Sequence, residues 1–409
     1  MARLLAYTSP ARGHLYPLTP ILDQLGARGH EISVRTLASE VPMIQSRGMH
    51  AAPISHAVEA IELDDFEASN SRAAIGKAVA TFAARAEHDE ADLRGAINEV
   101  QPDALLIDIN CWGAAAVAEA WGGPWAMFSP YPLPLRSVDA PPFGPGLAPA
   151  KGWLGRLRDR IVEPIVIGTI EKQFLPPVNS RREKNGLPAI DSFDETFRRP
   201  HLLLYMTAEP FEYPRTDWPA NIEMVGPCAW EPQSSVPTWL DELRNPLVLV
   251  TTSSEFQDDG NLVATALAAL ADQPYEVVAT VPSGDPAEFD VPENARVEKF
   301  VPHGPLLERA VCAITHGGMG ATQKALARGV PVCAVPFGRD QLEVARRVEV
   351  SGAGTRLPVR RLNAKRLREK VQQAIGCSEG ASRVAAAYAA TGGPAAAADA
   401  VERMLSRSA

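Results

Sequence analysis

Short apolar runs alternate with longer amphipathic stretches along most of the 409-residue chain. This alternation is typical of strand–helix units around a parallel sheet. In the first half it predicts strands at 3–8, 31–36, 104–108 and 125–128 and helices at 15–28 and 112–121. In the second half it predicts strands at 247–251, 276–281, 311–315 and 332–335 and helices at 261–271, 320–328, 342–350 and 364–375. We therefore predict an α/β protein with two consecutive domains.

The periodic pattern is interrupted between the halves and once inside the first half. Residues 209–239 are rich in Pro, Trp and charged side chains, as expected for a linker. A Pro- and Gly-rich segment at 130–149 follows a predicted strand, where loops often shape a ligand cleft. Ligands of such sheets bind at the carboxyl ends of the strands, so we expect the site in the cleft between the domains. The predicted boundaries are domains at 1–212 and 237–385, a linker at 213–236, and a C-terminal helix at 386–409 able to cross back to the first domain.

Composition and charge narrow the class of protein. With 40 Lys and Arg against 49 Asp and Glu, the formal charge of −9 argues against a nucleic-acid partner. The five cysteines are scattered and form no C-x-x-C pair, which argues against a disulfide framework or a zinc site and favours a reducing compartment. The N-terminus reads as a strand and not as a signal peptide. We expect a cytoplasmic protein with no membrane span.

The strongest chemical signal is a glycine-rich turn in the second half. A predicted strand ends at Thr315, and a helical pattern begins just after His316, Gly317, Gly318 and Gly320. Glycines let the backbone approach a ligand, and a helix N-terminus offers free N–H groups. The turn therefore predicts a phosphate site, with a plain strand-to-helix turn as the alternative. Neither G-x-G-x-x-G nor G-x-x-x-x-G-K-[ST] occurs here, so the spacing leaves the nucleotide class open.

This turn is one of five motifs that stand in order along the chain. They are Gly13, His14 and Pro17; Phe300, Val301 and Pro302; the His316–Gly320 turn; Gly329, Val330 and Pro331; and Asp340 and Gln341. With this set the sequence resembles the family 1 glycosyltransferases of the GT-B fold, nucleotide-sugar-dependent enzymes of bacterial antibiotic and macrolide type. The resemblance implies two Rossmann-like domains facing across a cleft. The first would bind the acceptor and the second the nucleotide sugar.

The resemblance assigns catalysis to the first domain. His14 matches the histidine that takes the proton from the acceptor hydroxyl, a task that suits an imidazole. Asp108 matches the aspartate that hydrogen-bonds this histidine and stabilises the imidazolium. Read alone, His14 is a solvated or capping residue and Asp108 a helix N-cap. Asp103 is the competing carboxylate, although it precedes its strand and should lie at the far end.

The donor residues are implied in the same way. Phe300 would stack on the nucleobase while the Val301 backbone reads its edge, and Ser254 would bind the diphosphate together with the glycine-rich turn. Asp340 and Gln341 would hydrogen-bond the transferred sugar. Outside this pattern Phe300 reads as a core residue and the Asp340–Gln341 pair as a helix cap.

Three positions depart from the family pattern. Lys324 stands where many relatives have a glutamate that binds both ribose hydroxyls. Because a deoxyribose lacks the 2′-hydroxyl, this change favours a dTDP-sugar over a UDP-sugar. Ser253 replaces the glycine usually found before the diphosphate Ser or Thr, and His303 replaces a glutamine.

We expect an inverting single displacement that needs no cofactor and no metal, because no D-x-D motif occurs in the chain. The partners would be the nucleotide sugar and an apolar natural-product aglycone, bound by a monomer or homodimer. Acceptor contacts are predicted for Trp112, Phe66 and Tyr131. Three alternatives remain open: another GT-B nucleotide-sugar enzyme (an epimerase or a cell-wall transferase), an inactive auxiliary partner of a glycosyltransferase, and, as the poorest, a nicotinamide oxidoreductase.

Overall fold

A computed structural model of the chain describes residues 1–63, 71–232, 234–253 and 260–408. The predicted site residues Phe66 and Ser254 lie outside the described residues. Within these ranges the chain forms two parallel sheets with helices on both faces, which confirms the predicted α/β class with two doubly wound domains. None of the described helices combines the length and the apolar composition of a membrane-spanning segment.

The first sheet has seven parallel strands in the order β3-β2-β1-β4-β5-β6-β7. Their bounds are β1 Arg3–Tyr7, β2 Glu31–Thr36, β3 His50–Pro53, β4 Ala104–Asp108, β5 Trp125–Ser129, β6 Leu202–Tyr205 and β7 Ile222–Met224. Strand β7 lies inside the segment predicted as a linker, so the first sheet continues beyond residue 212. Three residues are too few to show an alternating pattern, which is why the sequence gives no sign of this strand.

The helices that cover the first sheet are α1 Arg12–Ala27, α2 Val41–Ser46, α3 His56–Glu59, α4 Ser71–Val100, α5 Trp112–Trp121, α6 Gly152–Lys184 and α7 Phe193–Arg198. Strands β1, β4 and β5 are apolar along their length and almost fully buried. Such continuous burial is expected of a parallel sheet that is covered on both faces.

The second sheet has six parallel strands in the order β10-β9-β8-β11-β12-β13. The strands are β8 Leu247–Thr251, β9 Glu276–Thr280, β10 Ala295–Glu298, β11 Ala310–Thr315, β12 Val332–Ala334 and β13 Gly354–Arg356. The helices are α8 Gly260–Leu270, α9 His303–Leu307, α10 Met319–Leu326, α11 Gln341–Val350, α12 Ala364–Ile375, α13 Ser378–Ala390 and α14 Gly393–Ser408.

Helix α14 packs on the first domain, although it follows the second in sequence. Its Ala397, Ala398 and Val401 are buried in the same apolar cluster as residues of α1. At the surface, Arg28 Nη1 lies 2.6 Å from Asp399 Oδ1. The C-terminal helix therefore ties the two domains together.

Both sheets reverse their strand order at one place, between β1 and β4 in the first and between β8 and β11 in the second. Ligands of doubly wound sheets bind outside the carboxyl ends of the strands at this point. In the first domain His14 follows β1 and Asp108 ends β4, while in the second domain His316 follows β11. The topology alone thus places the predicted base and the predicted phosphate turn at the two switch points.

Candidate active site

His14 and Asp108 are in direct contact. The Nδ1 atom of His14 lies 2.9 Å from Oδ1 and 3.0 Å from Oδ2 of Asp108. The Asp108 side chain is fully buried, whereas the His14 side chain keeps 13% of its surface exposed. The carboxylate therefore holds one ring nitrogen and leaves the other, Nε2, for a different partner. Asp103 lies at the other end of β4, where its Oδ2 accepts the Arg3 N–H at 2.7 Å.

Further donors fix the Asp108 carboxylate. Its Oδ2 accepts the Ser9 N–H at 2.9 Å and the Ser9 hydroxyl at 2.7 Å, and Oδ1 accepts the Asn110 N–H at 2.9 Å. Burial alone would raise the pKa of Asp108, but the adjacent His14 and these donors outweigh it and hold the pKa below its ordinary value. Asp108 is therefore an anion at neutral pH and not a side-chain cap of α5.

Asn110 and Tyr131 complete the surroundings of the imidazole. The Tyr131 hydroxyl donates to Asn110 Oδ1 at 2.9 Å, so the Asn110 amide nitrogen is left facing His14 Nε2 at 3.4 Å. The rings of His14 and Tyr131 are 5.6 Å apart between centroids. Tyr131, predicted to contact the acceptor, thus lies beside the predicted base, and Asn110 is a neighbour that the sequence analysis missed.

Trp112, also predicted to contact the acceptor, is part of a row of packed aromatic rings. Its ring lies 5.3 Å from Phe82 and 4.7 Å from Phe174 in edge-to-face geometry. The row continues through Phe193 to Phe197. These contacts give Trp112 a packing role between α4, α5 and α6, and only the exposed part of its side chain is available to a ligand.

The glycine-rich turn brings backbone N–H groups to the end of β11. Gly317 has a φ of +88°, and a Cβ there would lie 3.2 Å from Gln341. A Cβ at Gly318 would lie 2.3 Å from His316 Nε2, whereas Gly320 has open space beside it. Helix α10 starts at Met319, so its first N–H groups point out of the helix end. The turn therefore requires glycine at 317 and 318, where a Cβ would collide with Gln341 or with the His316 ring.

Asp340 and Gln341 start helix α11 beside this turn. Gln341 is 2% exposed, and its Oε1 accepts the N–H groups of Phe337 and Gly338 at 2.8 and 3.1 Å. In this structure its side-chain oxygen therefore shapes the preceding loop. Burial raises the pKa of Asp340 to about 6, against the opposing charges of Arg339 and His14. The carboxyl group of Asp340 therefore loses its charge more readily than an ordinary aspartate.

Phe300 and Val301 lie in the connection between β10 and α9 of the second domain. Phe300 is 53% exposed, whereas Val301 is 2% exposed and belongs to the core of the second domain. An exposed aromatic ring beside a fixed backbone segment is the arrangement that a stacked nucleobase requires. Phe300 is thus not the core residue that it resembles when read alone.

Lys324 and His303, two positions that depart from the family pattern, both contact the carboxylate of Glu231 in the predicted linker. Glu231 Oε2 lies 3.2 Å from Lys324 Nζ, and the Glu231 carboxylate accepts the N–H groups of His303 and Gly304 at 3.1 and 2.8 Å. Burial and the charge of Lys324 lower the pKa of His303 to about 4, so its ring is neutral at pH 7. The ring Nε2 lies 3.0 Å from Thr280 Oγ1. Glu231 stands 93 residues before its partner, and no sequence signal pointed to it.

The two domains also meet beside Asp340. Glu343, one turn further along α11, accepts the N–H groups of Gly144 and Gly146 at 2.8 Å each. Arg346 Nε donates to the Gly146 carbonyl at 2.8 Å. The Pro- and Gly-rich loop of the first domain is therefore bound to the helix that carries the predicted sugar residues. In the described part of the chain, no group of three His, Cys, Asp or Glu residues has metal-binding geometry.

Comparisons with known proteins identify the family of the chain. A family model for the C-terminal domain of erythromycin biosynthesis protein CIII-like proteins matches residues 264–404. The chain is 32% identical over 388 residues to 4'-demethylrebeccamycin synthase of Lentzea aerocolonigenes, covering 91% of this chain and 92% of that protein. It is 30% identical over 309 residues to a PGL/p-HBAD biosynthesis glycosyltransferase of Mycobacterium tuberculosis, covering 72% and 69%.

Solved structures show the same fold. The glycosyltransferase VinC in complex with dTDP aligns with a TM-score of 0.73 and 23% identity, covering 99% of this chain and 100% of that one. From the relatives, the matched domain and the shared two-domain fold together, we conclude that the chain belongs to the natural-product glycosyltransferases of the GT-B fold, which act with nucleotide sugars.

Proposed function

We propose that the protein transfers a sugar with inversion from a dTDP-sugar, or a UDP-sugar as the alternative donor, to a hydroxyl of an apolar aglycone. His14 is the base. The observation that carries the proposal is the contact of His14 Nδ1 with the buried Asp108 carboxylate at 2.9 Å. This contact fixes the tautomer in which Nδ1 carries the proton and Nε2 carries the lone pair.

The reaction is a single displacement. Nε2 of His14 takes the proton of the acceptor hydroxyl as its oxygen forms a bond to the anomeric carbon, while the bond from that carbon to the diphosphate oxygen breaks. Asp108 stabilises the imidazolium that results. Because the nucleophile enters opposite the leaving group, the anomeric configuration inverts.

The leaving diphosphate takes its stabilisation from the chain itself. The side chain of His316, the N–H groups at Gly318 and Gly320 and the start of α10 supply donors where negative charge develops. These donors support a reaction without a metal ion. Activity that persists in excess chelator is the expected result, and loss of activity that Mg²⁺ restores would contradict it.

The preference for a deoxyribose in the donor is inferred from Lys324. The α10 position where relatives place a ribose-binding glutamate carries an ammonium group, and the nearby Glu231 carboxylate is occupied by Lys324 and by two backbone N–H groups. Among the residues that the structure describes, a 2′-hydroxyl would find no carboxylate at this position that is not already paired, which favours a deoxyribose. VinC, a structural neighbour, was solved with dTDP.

Calorimetric titration of dTDP and UDP tests the donor. We expect tighter binding of dTDP, and clearly tighter binding of UDP would contradict the proposal. A Lys324→Glu variant should shift the preference toward UDP. Lys324→Gln is the matched control, because it removes the same charge without adding a carboxylate.

The His14→Ala variant tests the base. It should bind dTDP like the wild type and lose most turnover, since one acid–base group contributes about 10²–10⁴-fold. His50→Ala is the control, because the His50 side chain is 76% exposed and lies at an edge strand. Turnover of His14→Ala near the wild-type value would show that the base is elsewhere.

A further inference from the structure

The first half of helix α6 exposes a continuous apolar stripe. Its members, between 46 and 67% exposed, are Trp153, Leu154, Leu157, Ile161 and Ile165. Residues four apart lie on the same face of a helix, so 153, 157, 161 and 165 form one line with 154 beside it. They are five of the eleven large apolar side chains that are exposed in the described part of the chain. Single exposed apolar side chains are normal on a protein surface, whereas a contiguous group such as this one marks an interaction site.

The second half of the same helix behaves differently. Ile167, Phe174 and Val178 are 7% exposed or less, and the last two pack in an apolar cluster with Ile190. At 33 residues the helix is about 50 Å long, so half of it covers the domain and half lies along the surface. The stripe is therefore an outward face of an anchored helix and not a frayed end.

Positive charge borders the stripe. Arg156 and Arg160 are exposed, stand one position before Leu157 and Ile161, and form no ion pair with any described residue. Of the two acidic residues of this half, Asp159 lies 2.7 Å from Arg158, and Glu163 lies 3.8 Å from Arg136, which also pairs with Glu171 and Asp194. A protein of formal charge −9 thus carries a local cationic edge.

The stripe is linked to the cleft by a short stretch of chain. Arg158 Nη2 donates to the Ala148 carbonyl at 2.7 Å, and the loop before it reaches Glu343 of α11 through Gly144 and Gly146. Glu343 stands three residues after Asp340. The exposed half of α6 therefore lies on the part of the first domain that frames the interdomain cleft.

We propose that the first half of α6 binds the surface of an anionic lipid bilayer. The stripe enters the interfacial region while Arg156 and Arg160 contact lipid phosphates. An aromatic and aliphatic face bordered by arginines is the pattern of helices that lie in a membrane interface without spanning it. A second copy of the chain fits less well, because a two-fold contact along the stripe would bring the unpaired arginines of both copies together.

Co-sedimentation of the full-length protein with vesicles tests this proposal without any donor or acceptor. We expect binding to phosphatidylglycerol–phosphatidylcholine vesicles, weaker binding to pure phosphatidylcholine, and release at 1 M salt. Replacing Trp153, Leu157 and Ile161 together by Ser should lower the partition coefficient at least tenfold. Replacing Arg156 and Arg160 by Gln should lower it about fivefold per arginine on the anionic vesicles alone.

The matched control replaces Lys365 and Arg366 by Gln, two exposed charges on α12 of the other domain. It should bind vesicles like the wild type. Absence of wild-type binding, or unchanged binding of the triple Ser variant, would overturn the proposal. So would a wild-type dimer in sedimentation velocity that the triple Ser variant converts to a monomer, since the stripe would then be a homodimer interface.

Discussion

Replacing Asp108 by Asn probes the link between the predicted base and its buried partner. The carboxylate accepts four donors with two oxygens: His14 Nδ1, the Ser9 N–H, the Ser9 hydroxyl and the Asn110 N–H. An amide offers a single oxygen, and its NH₂ group must face at least one of these donors. The variant therefore loses the anion that stabilises an imidazolium and leaves one buried donor without an acceptor.

The two consequences have different sizes. An unsatisfied buried N–H costs about 1–3 kcal/mol of folding free energy. For catalysis, the same Asp-to-Asn change in a Ser-His-Asp triad lowers kcat about 10⁴-fold. We expect a loss of about 10³–10⁴-fold here, which corresponds to about 4–5.5 kcal/mol in the barrier at about 1.4 kcal/mol per factor of ten.

Single-turnover product formation, measured chromatographically with saturating donor, separates these effects from donor binding. The affinity for dTDP should stay unchanged, because its predicted site lies in the other domain. Ser9→Ala is the control: it removes one hydroxyl donor at 2.7 Å but keeps the carboxylate and should stay within about tenfold of wild type. If folded Asp108→Asn keeps more than a tenth of wild-type turnover, Asp108 merely positions the backbone of residues 9 and 110.

Three further changes test other parts of the site and fold. Because burial raises the pKa of Asp340 to about 6, the KM for the donor should rise as the pH falls through 6, and Asp340→Asn should abolish this dependence in steady-state assays. Gly146→Ala should raise the KM for the acceptor and lower stability by about 2 kcal/mol in urea titration, since φ is +60° and a Cβ would lie 2.5 Å from the Leu342 carbonyl oxygen. Burial also raises the pKa of Asp89 well above its ordinary value of 3.8, so the free energy of unfolding of the wild type falls as the pH rises from 3.8 toward the raised pKa. The Asp89→Asn variant still accepts the Ala114 N–H. In urea titrations it should therefore gain stability relative to wild type at pH 8 but not at pH 4.

The sequence pattern is sufficient to predict a site residue where a charged side chain stands at the end of an apolar strand. The apolar run at 104–108 predicts β4, and a carboxylate at the end of a buried strand needs a partner; Asp108 has one in His14. The parallel arrangement then brings the ends of β1 and β4 together. In such cases an apolar run that ends in a charged residue carries enough information to place a site residue at the carboxyl end of a strand.

Contacts between distant segments were not predictable in this way. Glu231 lies in a segment without a periodic pattern of apolar residues. Its contact with Lys324 forms only because the predicted linker packs against a helix that is 93 residues further along the chain. Helix α6 was also missed, because it contains Pro164, Pro176 and Pro177, each of which removes a helical hydrogen bond. Tertiary packing on α4 and α5 overrides these local signals.

A net charge of −9 does not prevent the binding of a diphosphate, because the surface charges and the donors of the site act over different distances. At physiological salt, exposed charges are screened beyond about 8 Å, so the net charge of the surface contributes little inside the cleft. The groups that we propose for a bound diphosphate are the end of α10 with its outward N–H groups, the His316 ring and the backbone of the glycine-rich turn. Across the cleft, the Asp108 carboxylate accepts hydrogen bonds from His14 and three further donor groups, and the pKa of Asp340 near 6 means that a proton neutralises its carboxylate more readily than that of an ordinary aspartate. An acidic surface is therefore compatible with a site that presents donors to an anion.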